Sequence, residues 1–297
     1  MGLWNAIRAA IWFAFLLASH TASTPEVLAA GNLKKRKESV MRILAIANHK
    51  GGVGKSTTCI NLGAALAKVG KKVLLVDTDA QGHTTIGLNI NTKDKQTIAE
   101  LLCDDKVRPS DVIQHTYIKN LDIIPSDLSL AIAEMKLATM AAKEFRLRNK
   151  LKGIKGYDFL IFDCPPNFST LPMNVFAIAQ EIILPLQLSY FSLEGVSNFV
   201  ETINFINKDI GPLIKHKIAI EGVLITFYDT RTKLSRDVHN QIKNIFGKKV
   251  FKSFIPQNIK LNEAQSHGKS IFDYDPDCKG AEAYMNLAKE IIQKGKQ

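Results

Sequence analysis

The chain has 297 residues, of which 46% are hydrophobic and 23% are charged, and its formal net charge at pH 7 is +11. This size allows one large domain with a substantial core and does not call for a second one. The four cysteines (Cys59, Cys103, Cys164 and Cys278) are too widely spaced for a zinc motif, and the pattern is typical of reduced thiols in a cytosolic protein.

The first forty residues differ in character from the rest. Residues 9–18 form a short apolar run after Arg8, which resembles a signal peptide and is too short for a comfortable membrane span. Met41 opens a segment that would be a natural protein start. We therefore expect residues 1–40 to reflect an over-extended start site, with a membrane anchor or an export signal as alternatives, and the functional domain to span residues 41–297.

Apolar runs and helical patterns alternate along residues 41–297. The predicted strands are 42–48, 72–77, 121–125, 158–163, 181–187, 218–227 and 249–255. The predicted helices are 57–69, 97–103, 127–152, 169–179, 192–208, 232–246 and 279–293. Most of the strands are continuous apolar runs, as expected when helices cover both faces of a sheet. The alternation predicts an α/β fold with a single doubly wound, mostly parallel sheet and helices on both faces.

A glycine-rich segment joins the first predicted strand to the first predicted helix. Residues 50–57 read Lys-Gly-Gly-Val-Gly-Lys-Ser-Thr, and backbone amides at such a helix start form a cradle for phosphate. In this arrangement Lys55 reaches the β- and γ-phosphates and the Ser56 hydroxyl holds Mg²⁺. His49 stands where the usual spacing has glycine, and a second lysine, Lys50, opens the loop. The predicted nucleotide-binding residues of the loop are Gly51, Gly52, Val53, Gly54, Lys55, Ser56 and Thr57.

Acidic residues close two of the predicted strands. Asp77 and Asp79 are two positions apart at the end of the second strand, so their side chains point to the same side. Asp163 closes the fourth strand and is followed by two prolines, which end strand pairing. An acid in this place holds Mg²⁺ through its water ligands in phosphoryl-transfer enzymes. Because ligands of doubly wound sheets bind beyond the carboxyl ends of the strands, we expect all three acids to face the nucleotide.

With its two lysines, the glycine-rich segment resembles the deviant Walker A box of the ParA/MinD family of P-loop ATPases. Residues 77–82 resemble the family's Asp-x-Asp-Pro-Gln-Gly box, with Ala80 in place of proline. The resemblance implies that Lys50 crosses a dimer to the partner's ATP and that Asp79 orients or deprotonates the attacking water. It implies ATP and Mg²⁺ as cofactors. The catalytic residues would be Lys50, Lys55 and Asp79, and the metal site would comprise Ser56, Asp77 and Asp163.

The resemblance extends to about residue 294 and is closest to ParA proteins of the Soj type. Residues 255–264 look like the family's Ile-Pro-Arg-Asn-Val-Arg-Leu-Ser-Glu-Ala, which implies that Pro256 and Asn258 line the base pocket. Gln257 stands where the family has arginine.

Residues 231–260 carry eight Lys or Arg residues and one acidic residue, which gives this block a net charge of +7. Such a concentration of positive charge favours a polyanionic partner over a surface that is merely solvated. The predicted DNA-binding residues are Arg231, Lys233, Arg236 and Lys260.

The resemblance implies a cytoplasmic, nucleoid-associated ATPase that partitions DNA. ATP would drive a sandwich homodimer that binds DNA without sequence preference, and a ParB-like protein would stimulate hydrolysis. One alternative is a MinD-like, membrane-associated positioning ATPase, because residues 284–292 place apolar side chains at helical spacing near the end of the chain. The other is a positioning factor for a different cargo.

Overall fold

A seven-stranded sheet runs through the part of the chain that the computed structural model describes, namely residues 40–167, 169–188, 192–229 and 233–295. The strand order is β3-β4-β2-β5-β1-β6-β7. The strands are β1 (Arg42–Ile46), β2 (Val73–Asp77), β3 (Gln114–His115), β4 (Leu121–Ile124), β5 (Phe159–Asp163), β6 (Glu181–Gln187) and β7 (Ala219–Thr226).

All pairings are parallel except that of β3, which runs antiparallel to β4 at one edge. Every residue of β2 and β5 is buried, because helices cover both faces of the sheet. The register places Asp77 at the end of β2 directly beside Asp163 at the end of β5. The predicted doubly wound, mostly parallel α/β sheet is confirmed.

Helices connect the strands and lie on both faces of the sheet. Those described are α1 (Lys55–Lys68), α2 (His83–Gly87), α3 (Ile98–Cys103), α4 (Pro109–Val112), α5 (Ser129–Leu137), α6 (Arg146–Leu151), α7 (Thr170–Phe176), α8 (Ser192–Phe205), α9 (Gly211–Ile214), α10 (Lys233–Phe246), α11 (Ile259–Ser266), α12 (Ile271–Tyr274) and α13 (Lys279–Lys294).

The sheet separates two hydrophobic cores. Successive residues of β2 alternate between them, with Leu74 in one and Leu75 in the other, as the period of a strand requires. The core on the side of Leu75 is closed by α1 and α13, which pack against each other. A Cβ atom on Gly63 of α1 would lie 3.0 Å from a methyl carbon of Leu75. This close approach packs the middle of α1 directly against β2.

The predicted strand at 249–255 is wrong. A 3₁₀ turn occupies Gly247–Lys249. The following segment makes isolated bridges between Val250 and Val223 and between Pro256 and Tyr228, and the Ile255 amide donates a hydrogen bond of 2.8 Å to the Ile225 carbonyl. The segment's apolar pattern has another cause, since Phe251 and Ile255 are buried in the core beside α1 and α13. The segment therefore flanks the outer edge of β7 without continuing the ladder.

The predicted helix at 127–152 is also wrong as a single element. Helix α5 ends at Leu137 and α6 begins at Arg146, with a 3₁₀ turn at Lys143–Phe145 between them. Ala142 has a φ of 52°, a left-handed conformation that interrupts the helix. The other predicted helices are present with shifted ends, and the helix predicted to reach residue 208 passes into a π-helical turn at Ile206–Ile210.

Several short elements have no counterpart in the prediction. These are β3, α2, α4, α9, α11 and α12. Helix α11 begins where Asn258 caps it, because the Asn258 Oδ1 accepts a hydrogen bond of 2.9 Å from the Lys260 backbone amide. The expectation of an over-extended start concerns residues 1–40. Of these, only Val40 lies within the described residues, so the expectation stays a prediction. No helix within the described ranges is long and apolar enough to cross a membrane.

Candidate active site

The glycine-rich segment forms an open loop between β1 and α1. Gly52 and Gly54 have φ values of 71° and 84°, which glycine adopts without strain. Helix α1 begins at Lys55, and no side chain caps its first turn. The amides at this helix start therefore face the loop without a side-chain acceptor, which is the arrangement that binds phosphate.

The two lysines of the loop occupy different environments. The Lys55 side chain is buried and its Nζ donates a hydrogen bond of 3.1 Å to the Lys50 carbonyl oxygen. Burial lowers the pKa of Lys55, and the negative charge of Asp163 partly opposes this shift. Lys50 is exposed, and its backbone amide donates to the Asn48 side chain at 3.0 Å. Lys55 is thus held inside the loop, whereas the side chain of Lys50 lies at the surface.

Asp163 lies beneath the loop with one carboxylate oxygen available. Its Oδ2 accepts a hydrogen bond of 2.7 Å from the Thr84 hydroxyl, and the Ser56 hydroxyl is close enough to the carboxylate to lower its pKa. Its Oδ1 is buried and has no hydrogen-bond partner among the described residues. Burial raises the pKa of Asp163. A buried acceptor without a donor is costly, and a hydroxyl beside an unpaired carboxylate oxygen is a donor set that suits Mg²⁺.

Both carboxylate oxygens of Asp77, which lies beside Asp163, accept hydrogen bonds from neighbouring residues. Its Oδ2 accepts hydrogen bonds from the Thr85 amide at 2.9 Å and the Thr85 hydroxyl at 2.8 Å, and its Oδ1 accepts one from the Asp79 amide at 3.2 Å. Burial, followed by the charge of Asp163, raises its pKa to about 7. These contacts make Asp77 the anchor of the segment that carries Asp79. Its role as a metal ligand stays a prediction.

Asp79 is half-buried and borders the cavity in front of the loop. Its carbonyl oxygen accepts a hydrogen bond of 2.8 Å from the Ser126 hydroxyl, and its carboxylate accepts one of 3.0 Å from the Gln81 amide. The Ser126 amide in turn donates to the Thr85 hydroxyl at 3.0 Å. A network of hydroxyl groups therefore fixes the backbone on which Asp79 stands.

A cavity of about 790 Å³ is lined by two of the three predicted catalytic residues, Lys55 and Asp79, but not by Lys50. It is bordered by Lys55, Ser56 and Asp79, together with loop glycines. Pro256 and Asn258 lie instead around a smaller cavity of about 20 Å³. Residues that border both cavities are Gly54, Thr57, Phe227 and Asn262. The predicted base pocket is thus adjacent to the phosphate cradle and separated from it by these shared residues.

Sequence reasoning missed several residues of the site. Thr84, Thr85 and Ser126 hold the carboxylates and the backbone beside them, and Gln265 accepts a hydrogen bond of 3.0 Å from the Thr57 hydroxyl. The consecutive hydroxyl residues that follow the Asp77 box were an available signal. Nothing in the local sequence pointed to Gln265, which reaches the loop from α11.

The predicted DNA-binding residues are only partly described. Arg231 lies outside the described residues, and Lys233 and Arg236 belong to α10 without described side chains. Lys260 is exposed and pairs with Glu263 at 2.9 Å, with its ammonium 5.7 Å from the Tyr274 ring centre. This pairing compensates part of the charge that Lys260 would offer to a polyanion.

The terminal helix α13 packs its apolar face inward. Tyr284, Leu287, Ala288 and Ile291 are all buried in the core shared with α1. The Tyr284 hydroxyl lies 3.2 Å from the Thr58 hydroxyl of α1. The apolar stripe that could have lain on a membrane is therefore covered by the protein itself.

Comparisons with known proteins identify the family of this chain. A family model described as an AAA domain matches residues 41–220. The chain is 44% identical to the sporulation initiation inhibitor protein Soj of Bacillus subtilis, over 86% of the chain and 99% of that protein. It is 38% identical to the chromosome partitioning protein ParA of Caulobacter vibrioides, over 86% of the chain and 95% of that protein.

Among solved structures, cobyrinic acid a,c-diamide synthase from Mycobacterium smegmatis, with a bound ATP analog and magnesium, superimposes with a TM-score of 0.74. It is 33% identical and covers 87% of this chain and 97% of its own. The chain therefore belongs to the Soj/ParA family of chromosome-partitioning ATPases.

Proposed function

We propose that this chain is an ATP-dependent DNA-partitioning ATPase that works as a nucleotide-driven switch. The observation that carries the proposal is the cavity of about 790 Å³ in which the glycine loop, Lys55, Ser56 and Asp79 meet. The loop provides backbone amides for phosphate, the lysine provides a buried cation, and the aspartate provides a base. Hydrolysis of ATP to ADP and phosphate needs these groups, arranged around one phosphate chain.

Each residue has a defined part in this reaction. The Lys55 ammonium leaves the Lys50 carbonyl and binds the β- and γ-phosphate oxygens, where its charge stabilises the negative charge of the transition state. The Asp79 carboxylate orients the attacking water and accepts its proton. The Ser56 hydroxyl and the unpaired Asp163 Oδ1 would hold Mg²⁺. When bound, this ion neutralises charge on the phosphate oxygens.

The proposal includes an ATP-dependent homodimer. Lys50 is exposed beside the cavity, so its ammonium can extend toward the ATP of a second copy placed face to face. Such a contact would couple nucleotide occupancy to dimerisation, because the negative phosphate chain of the second copy's ATP attracts the Lys50 ammonium.

The proposal also includes a DNA surface and a ParB-like partner that stimulates hydrolysis. The support for DNA is the net charge of +7 over residues 231–260. Within that block, Lys243, Lys248 and Lys252 are exposed in the structure. Because phosphate contacts carry no sequence information, binding is expected to be non-specific. The partner is supported by the names of the relatives, which are chromosome-partitioning proteins. The buried apolar face of α13 leaves the membrane alternative without support.

The nucleotide part is tested with Lys55→Ala. Removing the ammonium should abolish Mg·ATP binding in a fluorescent-nucleotide titration while the far-UV circular dichroism spectrum stays unchanged. Lys93→Ala, at an exposed residue outside the cavity, is the matched control and should bind normally. Near-normal ATP affinity in folded Lys55→Ala would refute the assignment of the loop.

The DNA part is tested by anisotropy of a labelled random duplex with ATP, ADP or no nucleotide, across a salt series. Binding should require ATP, and the logarithm of the binding constant should fall with log salt by about 0.9 per neutralised phosphate. Arg231→Ala should flatten this slope by about one unit for each phosphate that the arginine neutralises. Lys260→Ala should change it less, because Lys260 is already paired with Glu263. Equal binding in all three nucleotide states would contradict the switch.

A further inference from the structure

Phe227 has an unusual backbone conformation at the end of β7. Its φ is 51°, in the left-handed region. Among the described non-glycine residues with positive φ, three are Asn or Asp, which tolerate this region, and Phe227 is the bulky aromatic one. Strain of this kind persists where the surroundings impose it, and it concentrates at ligand sites. The conformation therefore raises the question of what the Phe227 ring does.

The surrounding backbone holds Phe227 on both sides. The Thr226 hydroxyl donates a hydrogen bond of 3.0 Å to the Val53 carbonyl of the glycine loop. The Tyr228 amide donates one of 3.0 Å to the Ile255 carbonyl. Residue 227 lies between these two fixed points, so its left-handed turn determines where the side chain goes.

The turn directs the ring toward the glycine loop and away from the cores. A Cβ atom on Gly54 would lie 3.6 Å from Cε2 and 3.9 Å from Cζ of the Phe227 ring. Phe227 is half-buried and belongs to neither hydrophobic core. Core packing therefore does not explain the position of this ring, which lies against the phosphate-binding loop.

The ring also borders the space where a nucleoside must lie. It borders the cavity of about 790 Å³ that holds the phosphate cradle and the small cavity lined by Pro256 and Asn258. Thr57, two residues beyond Lys55, borders both cavities as well. A nucleotide whose phosphates occupy the loop and whose base enters the predicted pocket at Pro256 and Asn258 would extend its ribose and base past this shared border.

We propose that Phe227 binds the nucleoside of ATP, with the face of its ring packed against the base and ribose. This inference rests on the proposed ATPase function and names a binding residue for the same site. An aromatic face stacks on any base, because every base has a π-face. Phe227 therefore supplies affinity that does not depend on the base, whereas polar groups such as Asn258 and Asn262 are left to distinguish one base from another.

The test compares Phe227→Gly and Phe227→Leu with the unchanged full chain. Glycine adopts positive φ without strain, so Phe227→Gly should keep or raise the thermal unfolding midpoint. Mg·ATP and Mg·GTP should each bind about tenfold more weakly, within the range of base–aromatic stacking. Inorganic tripolyphosphate with Mg²⁺ should bind as before, because the phosphate loop is unaltered. Phe227→Leu, which keeps an apolar side chain under the same backbone strain, should lose less affinity for ATP.

The outcomes separate this inference from the function on which it rests. Unchanged ATP affinity in Phe227→Gly would overturn the inference. An equal loss of affinity for ATP and tripolyphosphate would also overturn it, since the ring would then only shape the loop. Should Phe227→Gly fail to fold, an ATP affinity of Phe227→Leu equal to that of the unchanged chain would count against the inference in the same way. Failure of the unchanged chain to bind ATP would instead refute the proposed function.

Discussion

Thr85 provides the sharpest test of how the site is held together. Its side chain is 2% exposed, and its hydroxyl donates to the Asp77 Oδ2 at 2.8 Å while accepting from the Ser126 amide at 3.0 Å. Thr85→Val keeps the shape of the side chain and removes both hydrogen bonds. Asp77 loses a donor to its carboxylate, and the Ser126 amide remains buried without this acceptor.

The expected loss of stability follows from these two effects. At pH 8, above the raised pKa of Asp77, a hydrogen bond to its charged carboxylate contributes about 1.5–3 kcal/mol, and a buried donor left unpaired costs about 1–3 kcal/mol. The Thr85 amide still donates its hydrogen bond to Asp77 in the variant. We therefore expect a loss at the low end of the combined range, namely a decrease of about 3 kcal/mol in the free energy of unfolding. For a domain of this size that loss corresponds to a decrease of about 1 M in the urea midpoint.

Urea unfolding followed by circular dichroism measures this loss, with Thr85→Ser as the matched control. Serine keeps the hydroxyl and removes one methyl group, which costs about 1 kcal/mol. Hydrolysis should also slow more in Thr85→Val than in Thr85→Ser, because the Ser126 hydroxyl holds the Asp79 carbonyl at 2.8 Å. If the valine and serine variants unfold at the same urea concentration, the hydroxyl network does not stabilise the site.

Two further predictions concern the carboxylates. Asp79→Ala should bind Mg·ATP at near-normal affinity and hydrolyse it at least about 100-fold more slowly, as loss of a general base requires, and single-turnover kinetics at the unchanged rate would contradict its role. The pKa of Asp77 is raised from 3.8 to about 7, so between these values the folded protein binds more protons than the unfolded chain. The ligand-free protein should therefore lose stability as pH rises from about 4 to about 7. Asp77→Asn should show a weaker dependence in thermal unfolding, and identical profiles would contradict the raised pKa.

The sequence predicts the strands of this fold best where both faces of a strand are covered. The runs that became β2 and β5 are buried at every position, so their continuous apolar pattern has one explanation. The segment at 249–255 has a similar pattern for a different reason, because Phe251 and Ile255 enter a core without joining the ladder. The helix break at Ala142 involves neither glycine nor proline, and Ala142 is exposed, so the local sequence contains no signal that predicts it.

The same distinction applies to the site. Residues 50–57 and Asp79 were predictable, because their chemistry depends on residue spacing within one segment. Each of these segments follows a strand, so it lies at the carboxyl edge of the sheet, where ligands bind. Ser126 and Gln265 were not, because they come from the loop that follows β4 and from α11 and meet the site only in the folded chain. Single hydroxyl or amide residues of this kind have no periodicity. Their role follows from what lies within about 3 Å of them.

The contacts of the glycine loop also explain how nucleotide binding can act on the basic block. The Thr57 hydroxyl donates to Gln265 of α11, and the Thr226 hydroxyl of β7 donates to the Val53 carbonyl of the loop. These two elements flank the segment of +7 charge at residues 231–260. In the proposed switch, a movement of the loop on phosphate binding would act first on β7 and α11, because the loop is bonded to them directly. The proposed switch between DNA-bound and free protein requires the basic residues to differ in position between the ATP and ADP states, and these two hydrogen bonds are the direct connection through which the loop would act on them.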